Sequence, residues 1–237
     1  MIRTEAYRTF EANVDELLAM FKLLMPVELQ QKVKKVEKSI RRHRKNTPAR
    51  ARVIEKAVSD LSSTVEDYAR GRILLLDWTS AVLVTVVLAY MEDGLVFVAT
   101  KNPDLLKNAH PLDNDRILQA VSIEDLRTEL RRQWANKKLL GGPLKWLSLL
   151  NEMGAKQYTK DCDFRLQHLW DTRNLIVHGR GIATVPYIES YKKPALKLGD
   201  RVHVGPGFKV LKWWMAGIED FVNSTDQFFT NYGTKTK

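Results

Sequence analysis

Cysteine is almost absent from this chain of 237 residues, which contains only Cys162. A single cysteine cannot form an intrachain disulfide, and it excludes a zinc site built from several thiolates. Such usage is typical of the reducing cytosol, and the charged start from Met1 to Glu5 lacks the apolar stretch of a secretory signal. We therefore expect a cytoplasmic protein.

The sequence also has no glycine-rich phosphate loop, no serine nucleophile motif, no internal repeat and no low-complexity linker. Nucleotide hydrolysis and metal catalysis consequently have little support, and we expect neither a metal nor a cofactor. Acidic residues are outnumbered, with 28 Asp and Glu against 38 Lys and Arg, a net charge of +10. This excess of positive charge favours an acidic partner, most often nucleic acid.

One apolar run, from Ile73 to Met91, approaches the length needed to cross a bilayer, so a membrane-associated protein is one alternative. Asp77 within the run, Arg70 and Arg72 before it and Glu92-Asp93 after it favour a buried central helix instead.

Hydrophobic spacing predicts an all-α fold with N-terminal helices and a small extended or hairpin arm before the last helix. We divide the chain into an N-terminal basic helical section (1–69) and a helical domain (70–237). Helices are predicted over 3–24, 27–45, 48–68, 73–93, 122–138, about 144–153, 161–178 and from 208 onward. Gly71 could lie inside one continuous helix, and the arm is centred on 197–204. The tryptophans of the last helix recur at helical spacing, which favours core or dimer packing over base stacking.

The helix over 27–45 is the most basic stretch of the chain. It is either a solvated surface or a surface that follows the phosphates of RNA. The candidate RNA-binding residues are Lys34, Lys35, Lys38, Arg41 and Arg42, with Arg180 farther along the chain.

The most distinctive stretch is Asp171-Thr172-Arg173-Asn174-Leu175-Ile176-Val177-His178-Gly179. In a helix, Asp171, Asn174 and His178 share one face, whereas Arg173 lies in the neighbouring apolar stripe. An arginine in that position needs a carboxylate, a phosphate or a second subunit.

These residue types suit cleavage of RNA by its own 2′-hydroxyl group. An imidazole can move the proton, and a guanidinium can stabilise charge that develops on the phosphate. One copy of the motif offers one titratable group, but the reaction needs both a base and an acid. A homodimer or higher homo-oligomer that packs two motif helices together would supply both.

At these residues the chain resembles the HEPN superfamily (higher eukaryotes and prokaryotes nucleotide-binding domain), whose signature is an arginine, usually followed by a polar residue, and then a histidine after four to six residues. Arg173 to His178 fits the four-residue form, and no other histidine of the chain has an arginine at that distance. The likeness extends over roughly 70 to 232 and leaves the N-terminal section outside it.

The resemblance implies a helical bundle whose dimer forms the active cleft. It also implies metal-independent endoribonuclease activity in toxin, abortive-infection or other antiviral-defence systems, with an antitoxin or sensor protein as a further partner. Carried over by position, Arg173 would bind the scissile phosphate, Asn174 would orient it and His178 would transfer the proton. Asp171 and Glu92 are weaker candidates for the same cleft, and each could instead form a salt bridge with Arg173. Some members only bind RNA or act as scaffolds, so a non-catalytic RNA-binding or protein-interaction module is the alternative. His168 could reach the cleft, although a structural role is favoured.

Overall fold

The computed structural model describes residues 4–23, 48–107, 109, 111–112, 114–155, 158–191, 196–202 and 208–232. Across these residues the chain is mostly helical and forms no β-strand, so the predicted all-α class is confirmed. The α-helices are Glu5–Leu23 (α1), Pro48–Lys101 (α2), Asn114–Gln119 (α3), Ile123–Leu139 (α4), Pro143–Glu152 (α5), Lys160–His178 (α6), Val185–Tyr191 (α7) and Phe208–Asn231 (α8), and a 3₁₀ turn spans Pro103–Leu106.

The central element is α2, which packs against α1, α4, α6 and α8. It begins at Pro48, as predicted, and continues as one helix through Gly71, which the sequence left open, and through Gly94, beyond the predicted end at 93. The ring of Phe229 lies against the backbone of Gly94, where a Cβ atom would be 1.9 Å from Phe229 Cε2. Glycine at this position therefore allows α2 and α8 to approach each other closely.

The apolar part of α2, Ile73–Lys101, is long enough and apolar enough to cross a membrane by length and composition alone. In the structure one side of it, including Leu83, Met91 and Leu95, is buried in the bundle. The opposite side exposes Leu74 and Trp78, the latter at 63%. A core helix of a bundle passes the same test of length and composition, so the membrane alternative stays a prediction.

Helix α1 belongs to the same core as the rest of the bundle. Its side chains of Tyr7, Phe10 and Val14, at i, i+3 and i+7, are buried, and Phe10 packs on Tyr90 of α2 with ring centroids 5.8 Å apart. Thr4 caps the helix by accepting a hydrogen bond from Tyr7 N–H at 3.1 Å. The predicted boundary between 69 and 70 falls inside α2, and the division into two domains stays a prediction.

The last helix, α8, places the predicted aromatic stripe in the core. Trp214, Ile218, Phe221 and Phe229 are each at most 1% exposed, which matches packing and not stacking on bases. Tyr90 of α2 donates a hydrogen bond to the carbonyl of Val222 at 3.2 Å. This helix therefore closes the bundle against both α2 and α6.

The segment before α8 contains a short helix that the sequence did not predict, Val185–Tyr191, and extended residues in the region of the predicted arm. A turn at 197–200 brings Arg201 into an isolated antiparallel bridge with Ile182, and Val202 N–H donates to the carbonyl of Gly181 at 2.6 Å. The described extended residues, Arg201 and Val202, thus pair with the loop after α6.

Candidate active site

Helix α6 carries the motif at its C-terminal end. Thr159 caps its start, since the Thr159 hydroxyl accepts from Cys162 N–H at 3.1 Å. The side chains of Cys162, Leu166, Leu169 and Thr172 are buried, so this face fixes the helix against the core. The helix ends at His178, whose side chain is exposed. The buried face of α6 therefore holds the motif against the core, and the C-terminal end of the motif is open to solvent.

The three predicted catalytic residues are in direct contact. The guanidinium Nη1 of Arg173 donates to Nε2 of His178 at 2.9 Å and to Oδ1 of Asn174 at 2.9 Å. Arg173 therefore bridges the side chains that the helical spacing placed on the neighbouring face. The structure brings the polar trio together within one chain.

The positive charge of Arg173 has no carboxylate partner within 4 Å among the described residues. Its Nε is buried and makes no hydrogen bond, and its guanidinium carbon lies 6.0 Å from the centre of the Trp170 ring. Its two hydrogen-bond partners, Asn174 and His178, carry no negative charge. A half-buried guanidinium without a counter-charge is a favourable place for an anion such as a phosphate.

The contact between Arg173 and His178 places a guanidinium beside an imidazole nitrogen. An arginine can only donate hydrogen bonds, so Nε2 of His178 is the acceptor in this contact. Its lone pair is therefore occupied by Arg173 and becomes available to a substrate hydroxyl group only when the guanidinium turns to a phosphate. A guanidinium and an imidazole side by side are the pair of groups that RNA transesterification uses.

Neither of the weaker candidates pairs with Arg173. Asp171 accepts from Gln167 Nε2 at 2.9 Å and from the hydroxyl of Tyr191 at 2.5 Å. Glu92 on α2 is half-buried and lies beyond ion-pair distance of Arg173. The salt bridges to Arg173 that the sequence allowed are therefore not formed.

Arg180 follows the motif in a left-handed conformation, with φ of +54°, and its side chain is exposed. Such a conformation is unfavourable for a residue with a Cβ atom and is held here by the hydrogen bond from Gly181 N–H to the carbonyl of Leu175 at 2.7 Å. Arg201, which the sequence did not single out, lies across from Ile182 and adds a second exposed arginine to this loop. The role of Arg180 in binding RNA stays a prediction. Lys34, Lys35, Lys38, Arg41 and Arg42 lie outside the described residues.

His168, ten residues before His178, is a core residue. It is 6% exposed, and its Nδ1 accepts from the indole N–H of Trp214 at 3.0 Å. The ring of Tyr191 packs edge-on against it, with centroids 4.4 Å apart. These contacts fit the structural role that the sequence favoured.

The tyrosines of α7, which form hydrogen bonds with the motif helix α6, were not among the residues predicted from the sequence. Tyr187 shares a hydrogen bond with the Thr172 hydroxyl at 2.9 Å, and Tyr191 donates to Asp171. Burial raises the pKa of both phenols, and the hydrogen bond to Asp171 raises the pKa of Tyr191 further. Their spacing of four residues was the available signal for a short amphipathic helix.

Within the described residues no three His, Cys, Asp or Glu side chains are grouped as metal ligands. No protein family, no curated protein and no solved structure matches the chain.

Proposed function

We propose that the protein is a metal-independent endoribonuclease that cleaves RNA through the 2′-hydroxyl group. The observation that carries the proposal is the contact between Nε2 of His178 and Arg173, whose charge has no carboxylate partner among the described residues. The resemblance further implies that such a nuclease is a cytoplasmic toxin or antiviral-defence effector that an antitoxin or sensor protein controls, and we include this role in the proposal.

In the proposed reaction, His178 removes the proton of the 2′-hydroxyl group, and the 2′-oxygen attacks the neighbouring phosphorus. The bond from phosphorus to the 5′-oxygen breaks, which leaves a 2′,3′-cyclic phosphate. The leaving 5′-oxygen takes a proton from a second, protonated histidine. Arg173 binds the phosphate oxygens, and Asn174 orients them.

The second histidine would come from a second copy of the chain. Trp170, Arg173 and Val177 lie at i, i+3 and i+7 on one face of α6. Leu140 and Leu144 flank Gly142, which packs so closely on Trp170 that a Cβ atom would be 2.7 Å from its indole nitrogen. We call Leu140, Leu144, Trp170 and Val177 the seam. Leu140 is 69% exposed, Leu144 59% and Val177 41%, so the seam offers an apolar surface around Arg173 for a symmetric contact.

The first experiment is cleavage of single-stranded RNA in EDTA, with analysis of the product ends. The proposal expects 2′,3′-cyclic phosphate or 3′-phosphate ends, and loss of cleavage in Arg173→Ala. Products that carry 3′-hydroxyl ends, or full activity in Arg173→Ala, would contradict the mechanism.

A second experiment tests whether two chains share one site. Wild-type protein is mixed, under conditions that allow subunits to exchange, with an excess of His178→Ala. If each active site needs both histidines, about a ninefold excess reduces activity to about one-tenth, because few wild-type chains then find a wild-type partner. If each chain carries a complete site, the activity is unchanged. The matched control is the double variant that carries both His178→Ala and Leu144→Glu. The new charge in the seam should prevent this variant from pairing with wild-type chains, so it should not inhibit them.

A non-catalytic RNA-binding or protein-interaction module is the second candidate. One observation favours it, since Arg173 occupies the lone pair of His178 Nε2 that a general base needs. In this case RNA binding should weaken steeply with salt, and neutralisation of Lys34 and Arg41 should flatten that dependence. The protein would then cleave no RNA under any condition.

A further inference from the structure

A groove of about 280 Å³ lies beside the motif, between α6 and α7. Asp171, Asn174 and Leu175 form the side that belongs to α6, and Thr184, Tyr187 and Ser190 form the opposite side. Its volume is just below the usual range for ligand pockets, about 300–1,000 Å³, so it suits a small ligand group. Asn174 contributes both to this groove and to the contact with Arg173, so the groove opens directly beside the proposed phosphate site.

The two sides of the groove are fixed to each other. Hydrogen bonds from Tyr191 to Asp171 and between Tyr187 and Thr172 join α7 to α6. Because both bonds are partly or fully buried, the short helix α7 is held in one position against the motif. The groove is therefore preformed, which favours binding of a small rigid group.

The polar groups of the groove combine an acceptor with donors. Asp171 accepts two hydrogen bonds, from Gln167 and Tyr191, and a carboxylate has about four acceptor positions. Asn174 uses its Oδ1 for Arg173, which leaves the amide NH₂ as a donor. Leu175 and Pro186 add apolar surface. A carboxylate here repels a phosphate, so the occupant that fits is a planar group with both donors and acceptors at its edge.

We propose that this groove binds a nucleobase next to the scissile phosphate and prefers a base with an exocyclic amine. The substrate class rests on the proposed function. Adenine, cytosine and guanine each offer an amino group to the carboxylate of Asp171 and an acceptor to the amide of Asn174. Uracil can donate its single N–H to Asp171 and accept from Asn174 with one carbonyl group, but its second carbonyl group then lies beside the carboxylate and is repelled by it.

The test measures binding of 3′-AMP, 3′-CMP, 3′-GMP and 3′-UMP to the full chain by calorimetry, with ribose 5-phosphate as the base-free reference. Nucleotides with an amino group should bind about tenfold more tightly than 3′-UMP and the reference, the effect of one good pair of hydrogen bonds. Ser190→Tyr fills the groove and should reduce this advantage below about twofold, as expected for a lost pair of that strength. Glu189→Tyr, next to it on the exposed side of α7 and outside the groove, is the matched control and should leave the advantage intact.

Asp171→Asn is a second variant, for the case that Ser190→Tyr does not fold. It replaces the acceptor with an amide and should narrow the difference between 3′-CMP and 3′-UMP. Equal binding of all nucleotides and ribose 5-phosphate, or no measurable binding, would overturn the subsite. Base-dependent binding without RNA cleavage would refute the nuclease and support the groove, whereas cleavage without base-dependent binding would do the reverse.

Discussion

Replacement of the two histidines of α6 should have opposite effects on stability and on activity. His178→Ala removes an exposed side chain at the end of the helix, so the free energy of unfolding should change by less than about 0.5 kcal/mol. If His178 transfers a proton in the reaction, RNA cleavage should fall by about 10²- to 10⁴-fold.

His168→Ala removes a ring that is 6% exposed and leaves the indole N–H of Trp214 without its acceptor. An unsatisfied buried donor costs about 1–3 kcal/mol, and a large-to-small change in a core costs about 2–5 kcal/mol. We expect a total loss of about 3–8 kcal/mol, a large share of the stability of a typical domain, about 5–15 kcal/mol. His168→Gln keeps a carbonyl that can accept from Trp214 and should recover part of the loss.

Both variants are measured by urea denaturation and by the initial rate of RNA cleavage, at a temperature where both are folded. The rate per folded molecule should be nearly unchanged in His168→Ala. If His178→Ala cleaves as fast as wild type, the role assigned to His178 is wrong. If both variants lose activity in proportion to stability, the chemical distinction between the two histidines fails.

Further predictions concern four other positions. Arg173→Lys keeps the charge but loses the planar fork, so cleavage should fall at least about tenfold while the melting temperature stays close to that of wild type. Gly94→Ala places a methyl group against the ring of Phe229 and should destabilise the fold by about 1–3 kcal/mol in urea denaturation. Gly71→Ala in the same helix meets open space and should stabilise it by about 0.5–1 kcal/mol. Burial raises the pKa of the Cys162 thiol to about 12 in the folded protein. The unfolded thiol loses its proton first as pH rises above about 9, so stability should fall from there toward pH 12, and native Cys162 should resist alkylation at pH 8.

The sequence predicted the helical class because hydrophobic spacing and capping residues act locally. Ser122, at the start of the helix predicted over 122–138, caps α4, since its hydroxyl accepts from Asp125 N–H at 3.1 Å. Local propensity alone left open whether α2 continues as one helix. Gly94 lowers local helix propensity. Its position leaves room for the ring of Phe229, which is 135 residues away in the chain and packs against the backbone of Gly94.

The short helix α7 was missed for a similar reason. The segment around it contains proline, glycine and lysine, which locally indicate an extended arm. Tyr187 and Tyr191 become helical because they pack on α6 and form hydrogen bonds with Thr172 and Asp171. Tertiary contacts therefore override the local preference of this segment.

At the site, helical periodicity was enough to place Asn174 and His178 together and Arg173 at their edge. It was not enough to predict the partners of Arg173, because a long side chain can turn toward several neighbours. The structure gives it Asn174 and His178, whereas the sequence suggested Asp171 or Glu92. Pairings of this kind depend on rotamers, which the spacing of residues does not determine.

The contacts between the two ends of the described bundle also affect how the protein is made. Thr4 bonds to Asp226, Tyr7 to Asn223, and the indole of Trp214 supports His168 behind the motif. When the ribosome has synthesised α1 to α7, the core side chains that α8 covers in the finished bundle are therefore still exposed. Because α8 follows the motif in the chain, packing behind the motif is completed only after α8 has been synthesised, and a nascent chain carries the motif before the support that holds it.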